Sequence, residues 1–216
     1  FGGSFAVIGG GQGNIVTSDH SAVVGGNGNI VTSGVATIVG GTRNAIGSTS
    51  GGAFVGGGWE NFADGFDAVV AGGKHDSATG DQSVVVGGLN NDATGNYSFV
   101  GGGDLNRATG GWACIPGGGS NAAGGQFSFA AGRQAKATHN GSYVWADDNA
   151  FNFASNGTNT FSARCVGGAR FVSSVDGGGA TLTGVTMAAG GGSWSAISDS
   201  SVKENIRDVD GRALLE

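Results

Sequence analysis

The feature that most constrains this chain is a short repeat. The segments GGQGN, GGNGN, GGTRN, GGWEN, GGKHD, GGLNN, GGDLN, GGGSN and GRQAK follow one another at a step of fifteen residues. Their closing positions are Asn14, Asn29, Asn44, Asn61, Asp76, Asn91, Asn106, Asn121 and Lys136. Only the step from Asn44 to Asn61 is longer, by two residues in the Ser-rich stretch near Ser48 to Gly52. A fixed short period describes one structural unit stacked on itself, not a globular core wrapped around a site.

Alignment on the closing position exposes the other columns. Six residues earlier stand Ile8, Val23, Ile38, Val55, Val70, Val85, Val100, Ile115 and Ala130, nearly all β-branched, as in a strand interior. Two residues before those come only Ala or Ser, from Ala6 to Ser128, and a spacing of two puts both columns on one strand face. The column between holds Val7, Ala22, Thr37, Phe54, Val69, Val84, Phe99, Cys114 and Phe129. It is mostly apolar, so the strand is expected to be buried on both faces. Beyond the closing position a column from Val16 to Thr138 marks a short second strand, and Gly65, Gly80, Gly95, Gly110 and Gly125 mark a second turn. These glycines are expected to supply positive φ and close backbone approach. The Asn is expected to tolerate a left-handed turn and to hydrogen-bond its copy in the next coil.

The columns therefore predict an all-β protein built as a parallel β-solenoid with about fifteen residues per coil. Nine such coils at about 4.8 Å each make a rod roughly 40 Å long. Burying one Val or Ile contributes about 1.5–3 kcal/mol, whereas ordering each backbone residue costs about 1–2 kcal/mol. One buried β-branched residue per coil cannot carry the fold alone. The second apolar face needs a cover, and the same column from another copy in a homo-oligomer is the simplest one.

Composition removes several alternatives. Gly makes up 48 of 216 residues without standing at every third position, which excludes collagen. Apolar residues reach 38% and stay in register, which a disordered tail has no reason to maintain. The formal charge of −6, without clustered Lys and Arg, argues against a nucleic-acid partner. No apolar run approaches the roughly 20 residues of a membrane span, so no membrane insertion is expected. Cys114 and Cys165 lie in different segments and are expected to be free or buried.

The central repeats DSATGDQSVVVGG, NDATGNYSFVGG and NRATGGWACIPGG resemble the YadA-like head repeat of trimeric autotransporter adhesins. The resemblance spans about residues 4 to 142 and implies a left-handed parallel β-roll packed into a homotrimer. Ser18, Ser33 and Ser48 depart from it, standing where the repeat has Gly. After the repeats, FNFAS, TFSARCV, ARFVSSV and ATLTGVTM read as short strands between turn residues. The last stretch, with Val202, Ile206 and Val209 at helical spacing, reads as the start of a helix. The run SDSSVKEN, preceded by FSARCVGGARF and GGGSWSAIS, resembles the entry to the endosialidase-type intramolecular chaperone of phage tail fibres and spikes. The expected organisation is β-roll repeats over 1–142, a β-rich neck over 143–197, and a truncated start of the chaperone domain over 198–216.

In that chaperone family a Ser and a Lys five residues later form a self-cleavage dyad. Ser198 and Lys203, with Asp199 after the Ser, match that spacing. The chemistry requires a neutral Lys, held so by burial or crowding. The dyad is expected to be unassembled and inactive in this chain, and no conventional active site is visible, so the chain is not expected to be an enzyme. A helix start capped by Ser or Asp accounts for the same residues without chemistry.

Tyr97, Trp112 and Phe127 share one column in three consecutive coils. An exposed ladder of this kind could stack on sugar rings; packing against itself or a neighbouring chain is the commoner fate. Trp59 and Lys74 fall in the loop column and are expected to face solvent. His20, His75 and His139 fall in three different columns and do not converge on a metal, and no cofactor is implied. Together the repeats and the two resemblances imply a structural segment of a trimeric phage or virus tail fibre or spike, located on the virion. It would present or form a tip that attaches to a host-surface glycan or protein receptor. The alternative is a bacterial trimeric surface adhesin head on the cell surface.

Overall fold

The computed structural model describes residues 2–49 and 51–198, and every regular element among them is a β-strand. The chain divides into two compact units, 1–164 and 165–216. The first is a parallel β-solenoid of about ten turns. Each of the coils up to residue 123 contributes a two-residue strand to each of two sheets, as in Val69–Val70 and Ser77–Ala78. Consecutive coils pair in register fifteen residues apart, for example Val69 with Val84 and Ser77 with Asp92. The fifteen-residue expectation therefore holds through the central coils.

Inside, Val55, Val70, Val85, Val100 and Ile115 are wholly buried, with Ala or Ser two residues before each. The facing sheet supplies Val16, Val31 and Ile46 in the early coils and only Ala from Ala63 to Ala137. The intervening column points outward. Its side chains are half-buried or exposed, with Val7 at 54% and Phe99 at 38%, so within one chain the strand is buried on a single face, not on both.

The backbone explains what the thin core cannot. Strand amides donate to the next coil, as Val84 N–H does to Ser98 O at 2.9 Å, while two corners per coil reverse the direction. At one corner Tyr97 N–H donates back to Asp81 O at 2.8 Å; at the other Asn90 N–H donates back to Lys74 O at 3.0 Å. Both corner residues are left-handed, with φ of +61° and +55°. The left-handed residue is thus the one preceding each Asn, not the Asn itself. The corner that holds Tyr97 is not turned by its Gly either. Gly80 and Gly95 lie outside the left-handed region; they are required because a Cβ there would come within 2.2 Å and 2.1 Å of the next coil's carbonyl oxygen.

The Asn column is a buried ladder of amides. Asn29, Asn44, Asn61, Asn91, Asn106 and Asn121 are at most 1% exposed. Asn14 Oδ1 accepts Asn29 N–H at 3.0 Å, and the rungs repeat up to Asn106 Oδ1, which accepts Asn121 N–H at 3.0 Å. The amide nitrogen of each Asn rung donates to two glycine carbonyls, as Asn106 Nδ2 does to Gly102 O and Gly118 O at 2.9 Å each. A buried amide with every donor and acceptor used adds stability instead of costing it.

Two boundaries differ from the sequence reading. Lys136 does not occupy the ninth rung: Ala122 pairs with Lys136, and Ala135 N–H takes Asn121 Oδ1 at 2.9 Å. That coil is one residue shorter, and its ladder ends on Ala135. The coils also do not stop at residue 142. Strands Tyr143–Ala146, Phe153–Ala154 and Phe161–Arg164 extend the same two sheets, so FNFAS and TFSAR belong to the solenoid.

The second unit, as described, is a three-stranded antiparallel sheet of Gly168–Val175, Thr181–Ala188 and Ser195–Ser198. Asp176 Oδ1 closes its first turn by accepting the N–H groups of Gly178 and Ala180 at 2.9 and 2.8 Å. Phe171, Val172, Val185 and Ile197 line a shallow apolar hollow of about 340 Å³ on this sheet. The expected C-terminal helix, with Val202, Ile206 and Val209, lies outside the described residues.

Candidate functional site

The aromatic ladder occupies the left-handed corner. Tyr97, Trp112 and Phe127 have φ of +61°, +55° and +54°, and their amides are tied back to Asp81, Asn96 and Gly111. Corners fixed one coil apart bring the rings face to face. Tyr97 and Trp112 stack at 5.0 Å with 6° between planes, and Trp112 and Phe127 stack at 5.0 Å with 12°. The ring faces that would receive a sugar are turned toward one another. The ladder is first a staple across three coils, contributing about 0.5–1.5 kcal/mol per pair. Phe129, Tyr143 and Phe161 form a second staple of the same kind on the outward column, at 4.4 and 5.0 Å.

At the opposite corner Glu60 accepts from Arg43 Nη1 at 3.1 Å and meets His75 Nε2 at 3.3 Å. The Arg43 hydrogen bond holds the Glu60 carboxyl below its ordinary range. Trp59 is half exposed and Lys74 Nζ rests 4.4 Å above its ring centroid, a solvent-facing pair. His139 Nδ1 lies 2.7 Å from Ser155 Oγ, a contact that sequence reasoning missed because the two residues stand sixteen apart, off the fifteen-residue period. Ser155 is buried and its Oγ also accepts Thr138 N–H at 3.1 Å, so this pair closes a corner. Among the described residues no three His, Cys, Asp or Glu gather as a metal site.

Ser198 ends the last described strand, and its expected dyad partner Lys203 lies outside the described residues. Cys114 and Cys165 are free thiols, and burial pushes the Cys114 thiol up. Lys136 Nζ donates to Ser120 O, and burial lowers its pKa.

A concavity of the solenoid lies elsewhere, near its C-terminal coils. It has a volume of about 680 Å³, within the range of small-ligand sites. Its floor is backbone: Gly118 and Gly119 pair with Gly132 and Arg133. Asp104, Arg133, Trp145 and Asp148 stand around it. Its cause is a gap in a wall of side chains. Gln12, Asn27, Thr42, Trp59, Lys74, Leu89 and Asp104 bridge one to the next in consecutive coils, and the following position is Gly119. Sequence reasoning missed this notch because one further Gly in a chain with 48 of them carries no signal until its column is known.

Comparison with protein-family models and with curated proteins found no match to this chain.

Proposed function

We propose that the chain is a segment of a homotrimeric fibre, a stiff head or shaft in a phage or virus tail fibre or spike that holds or forms a receptor-binding tip. The observation that carries this reading is the outward stripe of the first sheet. Phe54, Val69, Val84, Phe99, Cys114 and Phe129 follow one another in register, apolar throughout and only partly covered by their own chain. A contiguous apolar stripe along a rod is an association surface. A rotationally symmetric trimer would place one such stripe from each chain around a common axis. The resemblance to the YadA-like head repeat and to the chaperone entry supplies the trimer, the left-handed coil and the tail-fibre setting. Such a segment works mechanically: each coil orders the next, and assembly removes the exposed stripe from water.

Native mass spectrometry of the chain tests this directly. A trimer is the expected species. A folded monomer that persists at high concentration would remove the argument for a covered stripe and with it the fibre reading.

A further inference from the structure

We propose that the notch over Gly118 and Gly119 is a binding site for a neutral saccharide. This deepens the fibre reading and rests on it, since it names what a receptor-binding segment would hold.

Three observations converge on that ligand. The first is shape. Asp104 and Arg133 flank Gly119 in the same column, one coil to either side. Two coil steps separate them, roughly 10 Å, which leaves room for one pyranose ring with its hydroxyl groups. Removal of a single side chain from an otherwise continuous wall creates a slot of this width.

The second is the apolar contact. Trp145 is 38% exposed on the outward face of strand Tyr143–Ala146, and its register partner is Ala131. In contrast to Tyr97, Trp112 and Phe127, the Trp145 indole takes part in no ring stack among the described residues. An aromatic face beside a floor of Gly backbone offers the C–H side of a sugar ring a flat partner, with the indole N–H left to donate.

The third is the polar rim. Asp104 and Asp148 present carboxylates, which accept from adjacent hydroxyl pairs, and Arg133 presents a planar set of donors. Arg133 Nη1 donates to Asp148 O at 3.0 Å, which steers the guanidinium along the rim. Asp147 is already matched by Arg164, whose Nε lies 2.7 Å from Asp147 Oδ1. The remaining rim carries two carboxylates against one guanidinium. That excess of negative charge disfavours sialylated, sulfated or phosphorylated sugars and selects neutral ones.

Trp145 lies two residues from Tyr143 on the same outward face, so the notch borders the stripe assigned to contacts between copies. The test keeps these roles apart. The chain is screened on immobilised neutral oligosaccharides (glucans, mannans, galactans and N-acetylglucosamine oligomers) and on sialylated and sulfated counterparts, with the affinity of any hit measured by calorimetry. Gly119→Gln restores a side chain like Gln12 to the column. A Cβ on Gly119 meets nothing within 4 Å, so the plug enters without strain. Trp145→Ala removes the platform and Tyr97→Ala serves as the ladder control.

Binding of a neutral saccharide that weakens by about tenfold or more in Gly119→Gln and Trp145→Ala, and not in Tyr97→Ala, is expected. Four results would overturn the proposal: no neutral saccharide retained, retention of acidic sugars only, binding indifferent to Gly119→Gln, or loss of the trimer in Gly119→Gln, which would make the notch an interface. A trimer that binds no sugar removes the site and leaves the fibre reading standing; a monomer removes the fibre reading whatever it binds.

Discussion

Replacing Asp76 by Asn should stabilise the solenoid at neutral pH and lose that advantage in acid. Asp76 is the one carboxylic acid in the ladder from Asn14 to Asn121, and it is wholly buried. Its Oδ1 behaves as an Asn oxygen does, accepting Asn91 N–H at 2.8 Å and Asn91 Nδ2 at 3.1 Å. Its Oδ2 sits beside Gly73 where the other rungs place their amide nitrogen, and it has no partner. In neighbouring rungs that nitrogen donates to the glycine carbonyls four residues before and in the following coil, as Asn61 Nδ2 does to Gly57 O and Gly73 O at 2.8 and 2.9 Å. An ionised Asp76 therefore turns a lone-pair oxygen toward a place built for a donor, and only the protonated acid can donate there.

An amide would restore two hydrogen bonds at about 0.5–1.5 kcal/mol each and remove an unpaired buried oxygen worth about 1–3 kcal/mol. These gains overlap, so the net effect is about 2–3 kcal/mol. In a chain of this size that raises Tm by about 4–12 °C. Burial raises the Asp76 pKa above its ordinary value of 3.8. The folded state thus holds this proton more tightly than the unfolded state. That contribution is fully present below the unfolded-state pKa and is lost as pH rises through the folded-state pKa. Thermal unfolding followed by circular dichroism at pH 7 and near pH 4 reads the difference between Asp76→Asn and the parent, and hydrogen exchange at Asn91 N–H localises it. A neutral or destabilising Asp76→Asn at pH 7, or a gain of equal size at both pH values, would refute the reasoning.

Two further perturbations separate the forces in a coil. Gly25→Ala should stabilise by about 0.4–1 kcal/mol, because its Cβ meets nothing within 4 Å and its φ is ordinary. Gly26→Ala should instead cost at least about 1–2 kcal/mol, since Gly26 has φ of +95° and its Cβ would lie 2.2 Å from Gly41 O. Equal effects of the two on Tm would contradict the assigned corner geometry. On the outward stripe, Val84→Asp leaves the strand pairing of its own chain intact but puts a charge where copies are proposed to meet. The expected result is a folded monomer in native mass spectrometry, and a persistent trimer would move the interface elsewhere.

What could be read in the sequence was whatever depends on one residue type. The buried Val and Ile column, the small column beside it and the Asn column each tolerate only one kind of side chain, so the fifteen-residue period showed in the letters. The left-handed corner did not show, because it is held by backbone hydrogen bonds and accepts Phe5, His20, Val35, Asp67, Gln82 and Trp112 alike. A strain of about 1–2 kcal/mol per corner is offset by the amide each corner returns to the previous coil. The register slip at Lys136 was hidden for a related reason: a coil can lose one residue provided the next amide still reaches the Asn121 oxygen, and Ala135 N–H does. The solenoid could likewise run on past residue 142 without its Gly-Gly signature, since pairing of Tyr143 with Phe161 needs only backbone. The candidate site follows the same logic in reverse. In a wall where nearly any side chain serves, information lies in the one position that has none, and Gly119 becomes meaningful only when Asp104 and Arg133 are seen to stand one coil away on either side.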